Sequence, residues 1–300
     1  MFGFPWYIYA FIAAVLVAVI TLFEKKELKT EHSLEYVVVL SIFNVVVAAF
    51  LWPWVNFDIA PITLLWMYGA SILGALSLWF TAKALRHLDV SVVSPQLTLN
   101  VVFALLFAFL FLGETVNLVQ AVGIVILLGG SLLLTREALH NTTFGNHVVF
   151  GHTIKEPNKA VHLYQILIVA AMAFLGASTV IDKFVLGSVS VFDFIFYIHI
   201  FLAFNHLVIY GIVHRGFKNL FIDINRAGWI MVIVAVITIF SRLAAAEALA
   251  LASVALVIPL KRMSSVIATI VGGKMFNEKG LLFRSIVSIL MIVGVWLVVK

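Results

Sequence analysis

The 300-residue chain is 64% hydrophobic and 11% charged, against about 25% charged in a soluble domain, and its mean hydropathy is +1.17. That balance excludes a soluble globular domain, and the lack of cysteine excludes disulfides, thiol catalysis and cysteine-held metal. The net charge of +5 is not the footprint of a nucleic-acid binder, because the basic residues collect in short loops between apolar runs.

Apolar runs of about 20 residues, enough to cross a hydrocarbon core, recur from end to end. They are continuous rather than alternating, which excludes a barrel. The first, residues 4–23, has no basic leader and is too long for a signal-peptide core, so it reads as a retained span. Further runs follow at 34–54, 62–84, 90–112 and 116–135. After a long connector come 161–182, 191–213, 227–251, 254–276 and 281–299. The expected fold is an all-α polytopic membrane protein of ten transmembrane helices. A first five-helix unit covers 1–135, a central loop 136–160 and a second five-helix unit 161–300.

The two units carry a repeat. At an offset of 158, "TLFEKKEL" (21–28) overlies "TVIDKFVL" (179–186), pairing Thr21 with Thr179, Glu24 with Asp182 and Lys25 with Lys183; Glu35 falls on Asp193. At an offset of 164, "KALRHLDVSVVSP" (83–95) overlies "EALALASVALVIP" (247–259), bringing Pro95 onto Pro259 and Glu114 onto Glu278. One insertion in the second unit reconciles the two offsets. A unit with an odd number of spans forces its copy to enter the membrane from the other side. This is the inverted-repeat design of secondary transporters, with the substrate site near the midplane between the halves.

The stretch "LWFTAKALRHLDVSVVSPQLTLNVVFALLFAFLFLGETVNLVQAVGIVILLGGSLLL" (78–134) and its echo at 243–298 resemble the EamA-like branch of the drug/metabolite transporter superfamily. The shared features are a small-residue third span, a fourth with proline near its start and Gly-Glu at its end, and a glycine-bearing fifth. "TVIDKFVL" also resembles the start of the family's repeat, and the resemblance covers nearly the whole chain. It implies two inverted five-helix units around a central cavity and secondary transport of a small metabolite, with no cofactor and no enzymatic step. In keeping with that, the sequence has no phosphate-binding G-x-x-x-x-G-K-[ST] loop.

Charges inside apolar runs are costly, at about 2.5–3.5 kcal/mol each on insertion scales, and normally face a bundle interior. Arg242, Lys261, Arg262 and Lys274 lie well inside the runs, and Glu247 shares the helix of Arg242. Lys261 and Arg262 are about 100° apart on a helix and follow Pro259, which frees a carbonyl and allows a bend. They read as a cationic patch for an anionic group of the substrate, arginine being suited to carboxylate or phosphate by its planar fork. The alternative is an ion pair with Glu247 or Asp182. "LKR" (260–262) resembles a Leu-Lys-Arg of the phosphate-translocator branch, where the pair grips phosphate. The matching "PQLTLN" (95–100) has no lysine, so the resemblance implies an anionic or zwitterionic group here and not a full phosphate site. Gln96, Asn100, Trp79 and Ser264 are expected to complete the substrate cavity.

Glu247 falls on Lys83 in the repeat, so a Lys83–Glu247 contact and proton coupling through Glu247 are both open. The alternative is that Lys83 reaches out to the interface. Glu24-Lys25 and Asp182-Lys183, at equivalent ends of the two units, read as gate pairs or as plain interfacial charges. His199 and His206 share a helix face, but two histidines without a third ligand make no metal site. His140, His147 and His152 read as solvated loop residues, and Asn141 fits a glycosylation triplet that needs a lumenal side. The Ala-rich stretch 242–255 with Gly129, Gly130 and Gly294 reads as close helix packing.

Loops after odd-numbered spans hold about fourteen lysines and arginines, Lys183 counted among them, and the other face only Lys300; the positive-inside rule then puts both termini outside. The family resemblance implies termini in the cytoplasm. The expected partners are a small-molecule substrate, the bilayer of a multi-pass plasma-membrane protein, and a coupling proton or ion. The alternative function is a membrane-embedded enzyme acting on a lipid or lipid-linked substrate. It would need paired carboxylates or histidines near one interface, and no D-x-x-x-D or H-x-x-x-H cluster occurs.

Overall fold

A computed structural model describes residues 4–29, 31–112, 117–144, 147–149, 152–154, 158–218, 220–252 and 254–299. Helices α1 (Trp6–Glu27), α2 (Ser33–Ala49), α3 (Pro61–His87), α4 (Val90–Gln96), α5 (Asn100–Leu112) and α6 (Leu118–Phe144) make the first half. Helices α7 (Asn158–Leu186), α8 (Val191–Val213), α9 (Leu220–Leu251), α10 (Val254–Met275) and α11 (Leu281–Val299) make the second. A 3₁₀ turn, Leu97–Leu99, joins α4 to α5 just after Pro95. The proline has no N–H to continue the ladder, and its own carbonyl accepts from the Thr98 hydroxyl at 2.7 Å.

Seven helices are long and apolar enough to cross a membrane, and α2 and the apolar part of α11, Leu281–Leu297, are shorter apolar helices. The molecule is thus a helical, multi-pass membrane protein. The expected ten crossings exceed the seven that meet this measure among the described residues; α10, carrying Lys261 and Arg262, is not one of them. The connector expected as a plain loop over 136–160 is partly structured. Helix α6 runs on to Phe144, and a two-stranded hairpin pairs β1 (His147–Val149) with β2 (His152–Ile154). The side chains of His140, Asn141, His147 and His152 lie outside the described residues, as does Glu114.

Within α9 the backbone breaks at Gly228 (φ 61°, ψ −170°), a left-handed conformation that glycine adopts without a side-chain penalty. It separates a polar lead-in carrying Asp223 from the apolar crossing Gly228–Leu251. Exposed aromatics such as Trp52, Trp54 and Trp66 mark the outer surface.

The packing follows the two-part order of the sequence. Helix α1 rests on α9 and α10, while α7 rests on α3 and α5; α2 packs on α8 and α9, α8 on α2 and α3, and α6 on α11. Setting α1 against α7, α2 against α8, α3 against α9, α5 against α10 and α6 against α11 turns each of these pairings into a member of the same set. Small residues let the backbones approach. Ala10, Ala13 and Ala14 of α1 are fully buried, and Ala13 meets Ala244 and Ala245 of α9, where contact in lipid comes from dispersion alone. In the α6–α11 seam, a Cβ on Gly294 would fall 2.9 Å from Ile126 Cγ2 and 3.1 Å from the Gly123 carbonyl oxygen. Gly130 is equally tight against Met291, whereas Gly129 has nothing within 4 Å. The packing role expected of all three glycines therefore holds for two.

Two lysines tie off helix ends. Lys25 Nζ donates to the carbonyls of Leu85 (2.7 Å) and Leu88 (2.6 Å) at the end of α3. Lys183 Nζ donates to those of Leu249 (2.5 Å) and Ala252 (3.0 Å) at the end of α9. The last carbonyls of a helix lack intrahelical donors and carry its negative pole, so a buried ammonium is stabilised there. Lys183 follows the sixth apolar rod, so it belongs to the face opposite the one to which the loop count assigned it. Lys274, expected well inside its run, sits exposed in the last turn of α10.

At the cation-rich end, Arg284 is 1% exposed. It donates to Glu137 (2.8 Å), Asp89 (2.7 Å) and the Ser91 hydroxyl (2.8 Å), and lies 3.8 Å from Glu278. Glu278 accepts in turn from the backbone N–H groups of Val90 (2.8 Å) and Ser91 (2.9 Å) and from the Ser91 hydroxyl. It thus caps α4 from the connector between α10 and α11, where the positive pole favours a carboxylate.

Candidate functional site

The two halves enclose a cavity of about 250 Å³. Helices α1, α2, α3, α5, α7, α8, α9 and α10 contribute to its lining; among the described residues none of α6 or α11 does. At the sequence offset of 158 both members of several pairs face it: Thr21 and Thr179, Glu24 and Asp182, Tyr36 and Phe194, Ser41 and His199. At 164 the same holds for Gly74 and Thr238, Ser77 and Ser241, Leu78 and Arg242, and Leu97 and Lys261.

The charges in the lining are unevenly spread. Arg242, Lys261 and Arg262 all come from α9 and α10, where the first half has Leu78, Leu97 and Thr98. The carboxylates Glu24 and Asp182 lie on α1 and α7. Asp182 is within electrostatic reach of both Arg242 and Lys261, so these two cations share a counter-charge. Arg262 is 8% exposed, and its Nε has no hydrogen-bond partner among the described residues.

Other buried polar atoms in the lining also lack partners among the described residues: Tyr36 Oη, Asn44 Oδ1, Asn100 Oδ1, Asp182 Oδ1, His199 Nε2 and Thr238 Oγ1. Buried polar groups are nearly always paired in native proteins, so a set converging on one cavity is what a polar ligand or water would complete. His199 Nδ1 donates to the Ile195 carbonyl at 2.8 Å, which leaves Nε2 of the neutral ring as an acceptor facing the cavity. Behind the wall, His206 sits between the Ser41 hydroxyl (2.6 Å) and the Ala75 carbonyl (3.1 Å). It ties α8 to α2 and α3 and does not line the site.

Of the residues expected around a substrate, Lys261, Arg262 and Asn100 line the cavity. Gln96, Trp79 and Ser264 are outside its lining. Gln96 is fully buried, and neither of its amide atoms has a partner among the described residues; Trp79 stacks obliquely on Phe80, and Ser264 is buried in α10. Arg242 is in the lining; Lys83 and Glu247 are half-buried and outside it. The expected gate pairs divide, since Glu24 and Asp182 face the cavity while Lys25 and Lys183 turn to the helix ends. No group of three His, Asp or Glu residues among the described residues is placed to hold a metal ion. Sequence reasoning missed Tyr36, Asn44, His199, Thr238 and Ser241. The recurrence of polar residues at both offsets, as in Ser77 and Ser241, was the signal that could have found part of this set.

No curated protein matches the chain. A solved structure described only as a crystal structure of protein aligns over 98% of this chain and 95% of its own, with a TM-score of 0.57 at 15% identity, which is a likeness of fold. Residues 4–136 match the model of the EamA-like transporter family, so the first half of this membrane protein is similar to a unit of that family.

Proposed function

We propose that the protein is a secondary transporter that moves a small organic metabolite with an anionic or zwitterionic group by alternating access between two inverted halves, each crossing the membrane five times. The observation that carries this reading is the cavity itself. It lies between the halves, is lined in sequence-equivalent pairs, and gathers unpartnered polar atoms with Arg262 among them. The pairing of helices, in which α1 on α9 corresponds to α7 on α3, supports the inverted repeat.

In this reading Arg262 and Lys261 receive the anionic group, and Asn100, His199 and Thr238 supply orienting hydrogen bonds. Asp182 moderates the field of Arg242 and Lys261. Lys25 and Lys183 hold the helix ends that frame the cavity. Lys83 and Glu247 lie outside the binding surface, and the membrane is the plasma membrane.

The test is thermal unfolding of detergent-purified protein with metabolites grouped by charge, repeated with Lys261→Ala and Arg262→Ala. The reading expects stabilisation by anionic or zwitterionic compounds that both substitutions abolish. Stabilisation that persists in both variants sinks the assignment of the pair. Stabilisation by no charged metabolite sinks the transporter reading of the cavity.

A further inference from the structure

A second, small cavity of about 10 Å³ lies at the cation-rich end, lined by Glu27, Glu31, Glu35, Tyr36, Val39, Asp223 and Met231. It has room for about one water molecule. Four of its lining residues are acidic. Around it, Tyr210 donates to Asp223 at 2.6 Å, and Arg226 reaches Glu31 at 3.9 Å from a largely exposed position. Burial pushes the Glu31 carboxyl above the ordinary carboxylate range, against the pull of Arg226.

One residue belongs to both cavities. Tyr36 lines the acidic vestibule and the central cavity alike, it is 1% exposed, and its hydroxyl has no partner among the described residues. Its ring lies within electrostatic reach of Glu24 on the cavity side and Glu27 on the vestibule side. An unpaired buried hydroxyl is costly, and a phenol hydroxyl can both accept and donate a hydrogen bond.

We infer that Tyr36 is the gated step of a proton route from the acidic vestibule to Glu24, which makes the proton the coupling ion of the central site. The transfer balances. A protonated vestibule carboxyl gives its proton to the trapped water, the water gives one to the Tyr36 oxygen, and the Tyr36 hydroxyl proton passes to the Glu24 carboxylate. One proton leaves the vestibule and one arrives on Glu24, with water and tyrosine unchanged. The other titratable or charged groups that face Glu24 across the cavity are Asp182 of α7, His199 of α8, Arg242 of α9, and Lys261 and Arg262 of α10. Helices α3 and α5 add no titratable group to the lining.

The inference rests on the transporter reading, and its test does not use a substrate. Full-length protein in lipid nanodiscs is mixed rapidly across neutral pH with a soluble pH indicator, and proton uptake is followed in time. Wild type is expected to show a slow uptake phase that Glu24→Gln lacks. Tyr36→Phe should keep the amplitude of that phase and slow it by about tenfold or more, since the ring still fills the wall but carries no transferable proton. The same phase in Glu24→Gln, or an unaltered rate in Tyr36→Phe, overturns the route. If Glu24→Gln does not fold, Glu24→Asp serves: a changed rate at retained amplitude supports the route, and wild-type kinetics overturns it. A proton phase behaving as stated, with no metabolite stabilising the protein, leaves the route standing and the transporter reading fallen.

Discussion

Lys183 stands to the end of α9 as Lys25 stands to the end of α3: each places its ammonium between two carbonyls, and the acceptors Leu249 and Ala252 lie 164 residues beyond Leu85 and Leu88. Lys25 is the more deeply buried of the two. Replacing it by methionine leaves two helix-end carbonyls without their donor in a place water does not reach. Lys25→Met is expected to cost about 2–3 kcal/mol, and Lys183→Met about 1–2 kcal/mol, given what hydrogen bonds to charged groups contribute. Unfolding in a graded denaturing detergent reads both. Wild-type stability combined with altered transport would favour gate roles for these lysines over the helix-end role.

Arg284 holds several carboxylates at the cation-rich end. Arg284→Gln leaves Asp89, Glu137 and Glu278 facing one another with their shared counter-charge gone, and breaking a buried pair by removing one member costs about 3–5 kcal/mol. The variant is expected to unfold well below wild type in a thermal scan. Glu137→Gln, which leaves Arg284 with Asp89 and Ser91, should lose less. Equal losses in the two would mean that the cluster does not act through the arginine.

The seam between α6 and α11 gives a contrast between neighbouring glycines. Gly294→Ala drives a methyl against Ile126 and the Gly123 carbonyl, and overpacking of this kind costs about 1–3 kcal/mol. Gly129→Ala meets open space and should gain up to about 1 kcal/mol in helix propensity. Parallel thermal scans of the two variants decide it, with opposite signs expected.

Within the cavity, Asp182 screens Arg242 and Lys261. Asp182→Asn removes the screen without changing the shape, so anionic compounds with more than one charge should stabilise this variant more than wild type. The same compound panel measured by thermal shift checks it. Unchanged or weaker stabilisation would place the anion away from these cations.

Much of the fold was legible because lipid imposes a simple rule on sequence: apolar runs of sufficient length are helices, and their ends are marked by charge. The run 191–213 coincides with α8 to the residue, where Ser190 and Asp193 form a reciprocal N-terminal cap. The two sequence offsets, 158 and 164, reappear as paired positions in the cavity lining. Periodicity could not tell which polar residues of a helix face inward, because in an apolar helix a buried seam and a lipid-facing side look alike. Trp79 and Gln96 were assigned to the site from their position along the chain and lie just outside it. The role of Arg284 was not legible, since its carboxylate partners Asp89, Glu137 and Glu278 come from three separate segments that only the folded chain brings together.

The cations on α9 and α10, set against Leu78 and Leu97 on the other side, leave the cavity with a built-in polarity. A guest with unlike ends has one favourable way to lie in it, and turning round inside would set its negative end against the leucine wall. The likeness of the two halves in sequence thus stops at the charges of the cavity, which set one orientation for a guest with unlike ends and none for a guest without a negative end.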